Sequence, residues 1–136
     1  MRAGALVANA LLAACAGNAN LPKPDDVVTG HVTYRERIAL PVDAELAVQL
    51  IDVSRQDSAD AAVADTTIRP EGRQVPIPYV LRFDPKRIDP RHEYAIRATI
   101  VSGGRPVFTT PDTIKVVTHD HPRMVNLILS AVSGER

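Results

Sequence analysis

The chain has 136 residues, with 16 Lys plus Arg set against 16 Asp plus Glu and a formal net charge of zero. That length holds one domain with a real core and is short for two, and the balanced charge supplies no field for nucleic acid, which is excluded as a partner. Three Tyr, two Phe and no Trp leave few stacking platforms for sugars or bases, and 11 Pro argue against long helices.

Residues 1–14 open with one positive charge at Arg2 and continue through small and apolar residues to Ala14. This is the organisation of a secretory signal peptide, and the run is too short to cross a bilayer of about 30 Å as a helix. Leu12-Ala13-Ala14-Cys15 resembles the bacterial lipobox. In such signals the Cys sulfur receives a diacylglycerol and the chain is cut before it, here between Ala14 and Cys15. The expected covalent lipid on Cys15 is the only non-protein group the sequence calls for; no other cofactor is expected. Cys15 is the sole cysteine, so no intrachain disulfide forms. Ala16 follows it, and by resemblance to enterobacterial sorting rules the absence of Asp there directs the protein to the outer membrane, facing the periplasm. Residues 15–26 carry Pro, Asn and Asp without periodicity and read as a tether between lipid and domain.

From Val27 to residue 132 the sequence alternates with period two. Val28, Gly30, Val32 and Tyr34 take one face of a first strand; Leu46, Val48 and Leu50 take one face of a second. A polar loop at 55–60 precedes a weaker strand near Val63–Ile68. In the run 75–83, Val75, Ile77, Tyr79, Leu81 and Phe83 share a face, while Pro76, Pro78, Val80 and Arg82 point the other way. Pro lacks an N–H, and residues two apart aim theirs at the same neighbour. Both missing donors therefore lie on one lateral side, which makes this strand an edge. Pro76, Pro78, Val80 and Arg82 mark that edge as the candidate place for a partner's strand or helix.

Two Asp-Pro steps, at 84–85 and 89–90, make the next segment turn-rich. Tyr94 opens the following strand at a corner where its hydroxyl is expected to bond to upstream backbone, a stabilising device of β-sandwiches. Ser102-Gly103-Gly104-Arg105 is a two-residue hairpin signal, since both glycines adopt positive φ without cost. Val107–Thr109, Ile114–Val117 and Val125–Leu129 supply further strands, and residues 133–136 a short tail. The sum is an all-β domain: a single small β-sandwich of about seven to eight antiparallel strands, Ig-like or transthyretin-like in architecture.

Little in this domain reads as chemistry. His119-Asp120-His121 comes nearest to a metal site, because His119 and His121 would share one face of a strand. No third ligand stands near them and Pro122 marks a loop, so they read as solvated histidines. Arg82, Lys86, Arg87, Arg91 and Arg97 form a basic set interleaved with Asp84, Asp89 and Glu93, the pattern of a solvated surface. There is no nucleophile elbow, no Gly-rich phosphate loop and no paired-carboxylate motif, and the chain is not expected to be an enzyme.

Several segments, in order, carry a family resemblance: Gly-His-Val-Thr-Tyr-Arg-Glu-Arg-Ile-Ala-Leu-Pro at 30–41, Val-Gln-Leu-Ile-Asp-Val-Ser at 48–54 and Thr-Ile-Arg-Pro at 67–70. Val-Pro-Ile-Pro-Tyr at 75–79, the stretch from Asp84 to Ala98, and Phe-Thr-Thr at 108–110 continue it. The chain resembles the YbaY/YscW lipoprotein family, and more its general YbaY-type branch than the dedicated pilotins. The resemblance implies a β-sandwich lipoprotein at the outer membrane. It also implies a pilotin-like chaperone role, in which the lipid-anchored protein carries a type III secretin subunit or another envelope protein. A structural or glycan-associated envelope lipoprotein is the alternative, against which the shortage of aromatic side chains weighs.

Overall fold

The computed structural model describes residues 26–55 and 62–132; Ala14, Cys15, the tether before Asp26 and the 133–136 tail lie outside the described residues. Eight strands follow in chain order: β1 (Val27–Tyr34), β2 (Glu45–Asp52), β3 (Ala62–Ile68), β4 (Ile77–Arg82), β5 (Tyr94–Ser102), β6 (Arg105–Thr109), β7 (Ile114–Val116) and β8 (Leu127–Ala131). One 3-10 turn, Pro85–Arg87, sits between β4 and β5, with the Lys86 N–H donating to the Asp84 carboxylate that caps it. Among the described residues no helix is long and apolar enough to cross a membrane.

The alternation read from the sequence is the alternation of burial. Leu46, Val48 and Leu50 in β2, Ile77, Tyr79 and Leu81 in β4, and Ile96, Ala98 and Ile100 in β5 are all buried on one inner surface. The ring of Tyr34 stacks on Phe108 at 4.1 Å between centroids, joining β1 to β6 across the core. Gly103 and Gly104 both have positive φ and close the β5–β6 hairpin, with Ser102 opposite Arg105. The Asp43 carboxylate accepts from the Ser102 hydroxyl and the Gly103 N–H, which holds it below the usual carboxylate range.

Two expectations change. The strands are hydrogen-bonded along one path, β3-β2-β5-β6-β8-β1-β4, with β7 also on β5, so they make one nearly closed, barrel-like sheet and not two separate layers. The all-antiparallel expectation fails at β1 and β8, which run parallel with Val32 opposite Leu127 and Tyr34 opposite Leu129. This pairing seals one side of the barrel. β6 and β7 share the same edge of β5, one beside residues 99–102 and the other beside 94–96, and act as a single strand interrupted around Pro111. On the other side the barrel is not sealed by pairing: the terminal strands β3 and β4 come close but share no hydrogen-bonded ladder.

Gly30 sets the packing where β1 meets its neighbours. A Cβ there would fall within the carbonyl of Val125. The Val125 carbonyl takes that space, and the hydroxyl of Tyr79, the cross-strand partner of Gly30, lies beside it and donates to that carbonyl at 2.6 Å. An aromatic ring covering a glycine on the next strand restores the packing the glycine lacks. Burial raises the Tyr79 hydroxyl to about 12, keeping it a neutral donor.

Candidate partner-binding edge

The edge character of β4 follows from its backbone pattern. The Phe83 N–H donates to the Asp26 carbonyl at 3.0 Å, which makes that pair a closely spaced, hydrogen-bonded one. In an antiparallel ladder such pairs alternate with wide ones. With Leu81 opposite Val28 and Tyr79 opposite Gly30, the odd-numbered residues of β4 bond to β1. The even-numbered residues turn their N–H and C=O groups away from it. Thr29 confirms the phase from the other strand, since its N–H donates to the Arg123 carbonyl and its carbonyl accepts from Val125, both on the far side of β1.

Pro78 therefore withholds a donor from the side of β4 away from β1, as the sequence implies, whereas Pro76 lies in the bend before β4 and takes no part in its alternation. The donors that remain there on β4 are the N–H groups of Val80 and Arg82. The side chains of Pro78, Val80 and Arg82 are exposed on the outer face. Val80 is 47% exposed and continues, through Thr29, to Met124, which is 77% exposed and bridges to Thr29. The row Val80–Thr29–Met124 crosses strands far apart in sequence, so no local pattern announces it.

The other singled-out residues do not assemble into chemistry. Val117, His119 and Asp120 have positive φ, so residues 117–121 form a turn and not the strand on which His119 and His121 would share a face. Both imidazoles lean toward Glu93, His121 Nε2 at 3.4 Å and His119 Nε2 at 3.9 Å from its carboxylate oxygens. Among the described residues no group of three or more His, Cys, Asp or Glu side chains is arranged to hold a metal. The basic set is dispersed: Arg91 pairs with Asp89 at 3.0 Å, while Arg97 lies on β5 opposite Gln49. The bonds from Arg91 hold the Asp89 carboxyl down at about 2.

A buried polar tie that the sequence did not suggest joins β2 to the start of β5. Asp52 is 4% exposed; its Oδ2 lies 2.7 Å from His92 Nδ1 and its Oδ1 accepts from the Ser54 N–H. Asp-x-Ser at the end of a strand was its only local signal. The Thr118 hydroxyl donates to the His92 carbonyl at 2.6 Å and extends the tie to the 117–121 turn. Two residues on, the Tyr94 hydroxyl accepts from the Asp89 N–H at 2.8 Å, the corner bond expected from the sequence. Tyr94→Phe leaves that N–H without its partner and is expected to lower stability by about 1 kcal/mol, read by urea unfolding; an unchanged midpoint would show that water replaces the hydroxyl.

The sequence and fold have clear relatives. The family described as type III secretion system lipoprotein chaperone (YscW) matches residues 23–129. A curated relative, the uncharacterized lipoprotein YbaY of Escherichia coli strain K12, is 35% identical over 105 residues. That match covers 77% of this chain and 55% of the relative, so the chain spans little more than half of that protein's length. A solved structure, an alternative pilotin from the type II secretion system of Vibrio cholerae, superposes with a TM-score of 0.75 at 36% identity. It covers 79% of this chain and 97% of the pilotin.

Proposed function

As this chain belongs to the YscW family of lipoprotein chaperones, we propose that it is a non-catalytic holding protein that binds another protein of the bacterial envelope. Acylated Cys15 anchors it in the outer membrane on the periplasmic side, and a secretin subunit is the partner this reading names. The observation that carries the reading is the likeness to a pilotin in both fold and sequence across most of the chain. The edge of β4 that no ladder pairs supports it further, because a holding protein needs backbone groups that its own fold does not consume. In this reading the barrel-like domain recognises and the lipid locates. Each acyl methylene buried in the bilayer contributes about 0.8 kcal/mol, so several chains together hold almost permanently.

Cys15→Ser tests both halves. The variant is expected to keep the wild-type circular dichroism spectrum, to leave the membrane fraction, and to strand a co-expressed secretin short of the outer membrane. A variant that still sediments with membranes overturns the anchor. A secretin that reaches the outer membrane equally well with wild type, with Cys15→Ser and without the protein overturns the holding role.

A further inference from the structure

We infer that the open side of β4 takes an extended segment of the client as an added antiparallel strand, with an acidic residue opposite Arg82 and an apolar residue opposite Val80. The inference rests on the holding role proposed above and specifies how the client is held.

The backbone fixes the register. On the side away from β1, Val80 and Arg82 each offer both an N–H and a C=O, whereas Pro78 offers a carbonyl alone. In an antiparallel ladder such outward residues form the closely spaced pairs that exchange two hydrogen bonds each. A client strand therefore gains two full pairs, at Val80 and Arg82, and the ladder dies out at Pro78. The 69–76 connection ties the Pro end of β4 to β3, so the Val80–Arg82 end is the part of β4 farthest from that tie.

The side chains fix the chemistry. Val80 is half exposed and lies beside Met124 through Thr29, so an apolar residue laid across it covers surface now facing water. Arg82 is exposed and enters none of the ion pairs among the described residues. A carboxylate directly across from it forms a cross-strand pair of opposite charge. A second copy of this chain is disfavoured, because β4 paired with itself in this register brings two Arg82 side chains onto one face as diagonal neighbours. The client motif that results is acidic-x-apolar, read in the client's own direction.

The probe is a capped octapeptide carrying Glu-Thr-Val at its centre, compared with the same peptide carrying Lys-Thr-Val, by titration against the full-length protein in detergent. Wild type is expected to prefer the Glu peptide, and amide exchange at Val80 and Arg82 to slow when it binds. Val80→Pro removes an outward donor that β1 does not use, so it should melt close to wild type while binding roughly tenfold more weakly. Arg82→Glu should reverse the preference toward the Lys peptide, also by about tenfold. Equal binding of both peptides by wild type and Arg82→Glu overturns the assignment, as does unchanged exchange at Val80 and Arg82 in the wild-type protein. If Val80→Pro unfolds, the exchange and charge-reversal results decide alone. A wild-type protein that delivers its secretin while failing these tests refutes this edge and spares the holding role; failure to deliver the secretin refutes the holding role itself.

Discussion

Gly30→Ala is expected to destabilise the domain by about 3 kcal/mol or more, a larger loss than most single substitutions produce. The added methyl has nowhere to go, because the atom it meets is the backbone carbonyl of Val125 and no rotamer change relieves the overlap. Either β1 or the segment entering β8 must shift. Forcing such a shift in a packed interior costs roughly 1–3 kcal/mol. The same shift separates the Tyr79 hydroxyl from the Val125 carbonyl, leaving polar groups without their partners at a further ~1–3 kcal/mol. For a domain of this size each kcal/mol moves the melting temperature by about 4–8 °C, so the drop should exceed ~10 °C. Tyr79→Phe provides the control: it deletes the hydrogen bond without the overlap and should cost only about 1 kcal/mol. A Gly30→Ala protein melting within a few degrees of wild type would mean that β1 and Val125 are not in the contact described.

Asp52→Ala is the second substitution with a large expected effect, about 2–3 kcal/mol. Removing the carboxylate deprives the Ser54 N–H of its acceptor and the His92 imidazole of its 2.7 Å partner. The loss falls mainly on the Ser54 N–H left without an acceptor and on the space the buried carboxylate filled, since the His92 imidazole is one-third exposed and keeps Asp89 3.4 Å from its Nε2. Asp52→Asn keeps an oxygen at the site and should cost about half as much. The loss should also spread: His92 receives the Thr118 hydroxyl on its carbonyl, so amide exchange in residues 117–121 is expected to quicken in Asp52→Ala. Exchange there at the wild-type rate, with a melting temperature near wild type, would reduce the Asp52–His92 contact to a solvent-replaceable one.

Neither effect is visible without the fold. Gly30 occupies an inward position between Val28 and Val32, which marks it as unusual, yet nothing nearby in sequence says that a carbonyl 95 residues later presses on it. Asp52 and His92 are separated by 40 positions, and each alone reads as an ordinary polar residue at the end of a strand. The backbone around His119 and His121 is hidden for a related reason: the chain turns there through three residues of positive φ, where a shared strand face would need extended backbone.

What the sequence determined by itself is local and periodic. Alternation identified the inward faces of β1, β2, β4 and β5; the Gly103-Gly104 pair set a hairpin; the tyrosine corner was placed at Tyr94; and Pro78, though not Pro76, which falls in the bend before the strand, declared which side of β4 lacks a donor. Each of these is decided by dihedral preference, a missing N–H, or which face of a strand is apolar, and all are written within a few residues. Only the tertiary structure decided that β8 runs parallel beside β1, that the strands curl into one sheet left unladdered between β3 and β4, and that Val80 and Met124 flank Thr29 on its outside. Those choices depend on how far-separated strands fill a common interior, and the burial pattern of a strand records that it is buried without recording against which neighbour.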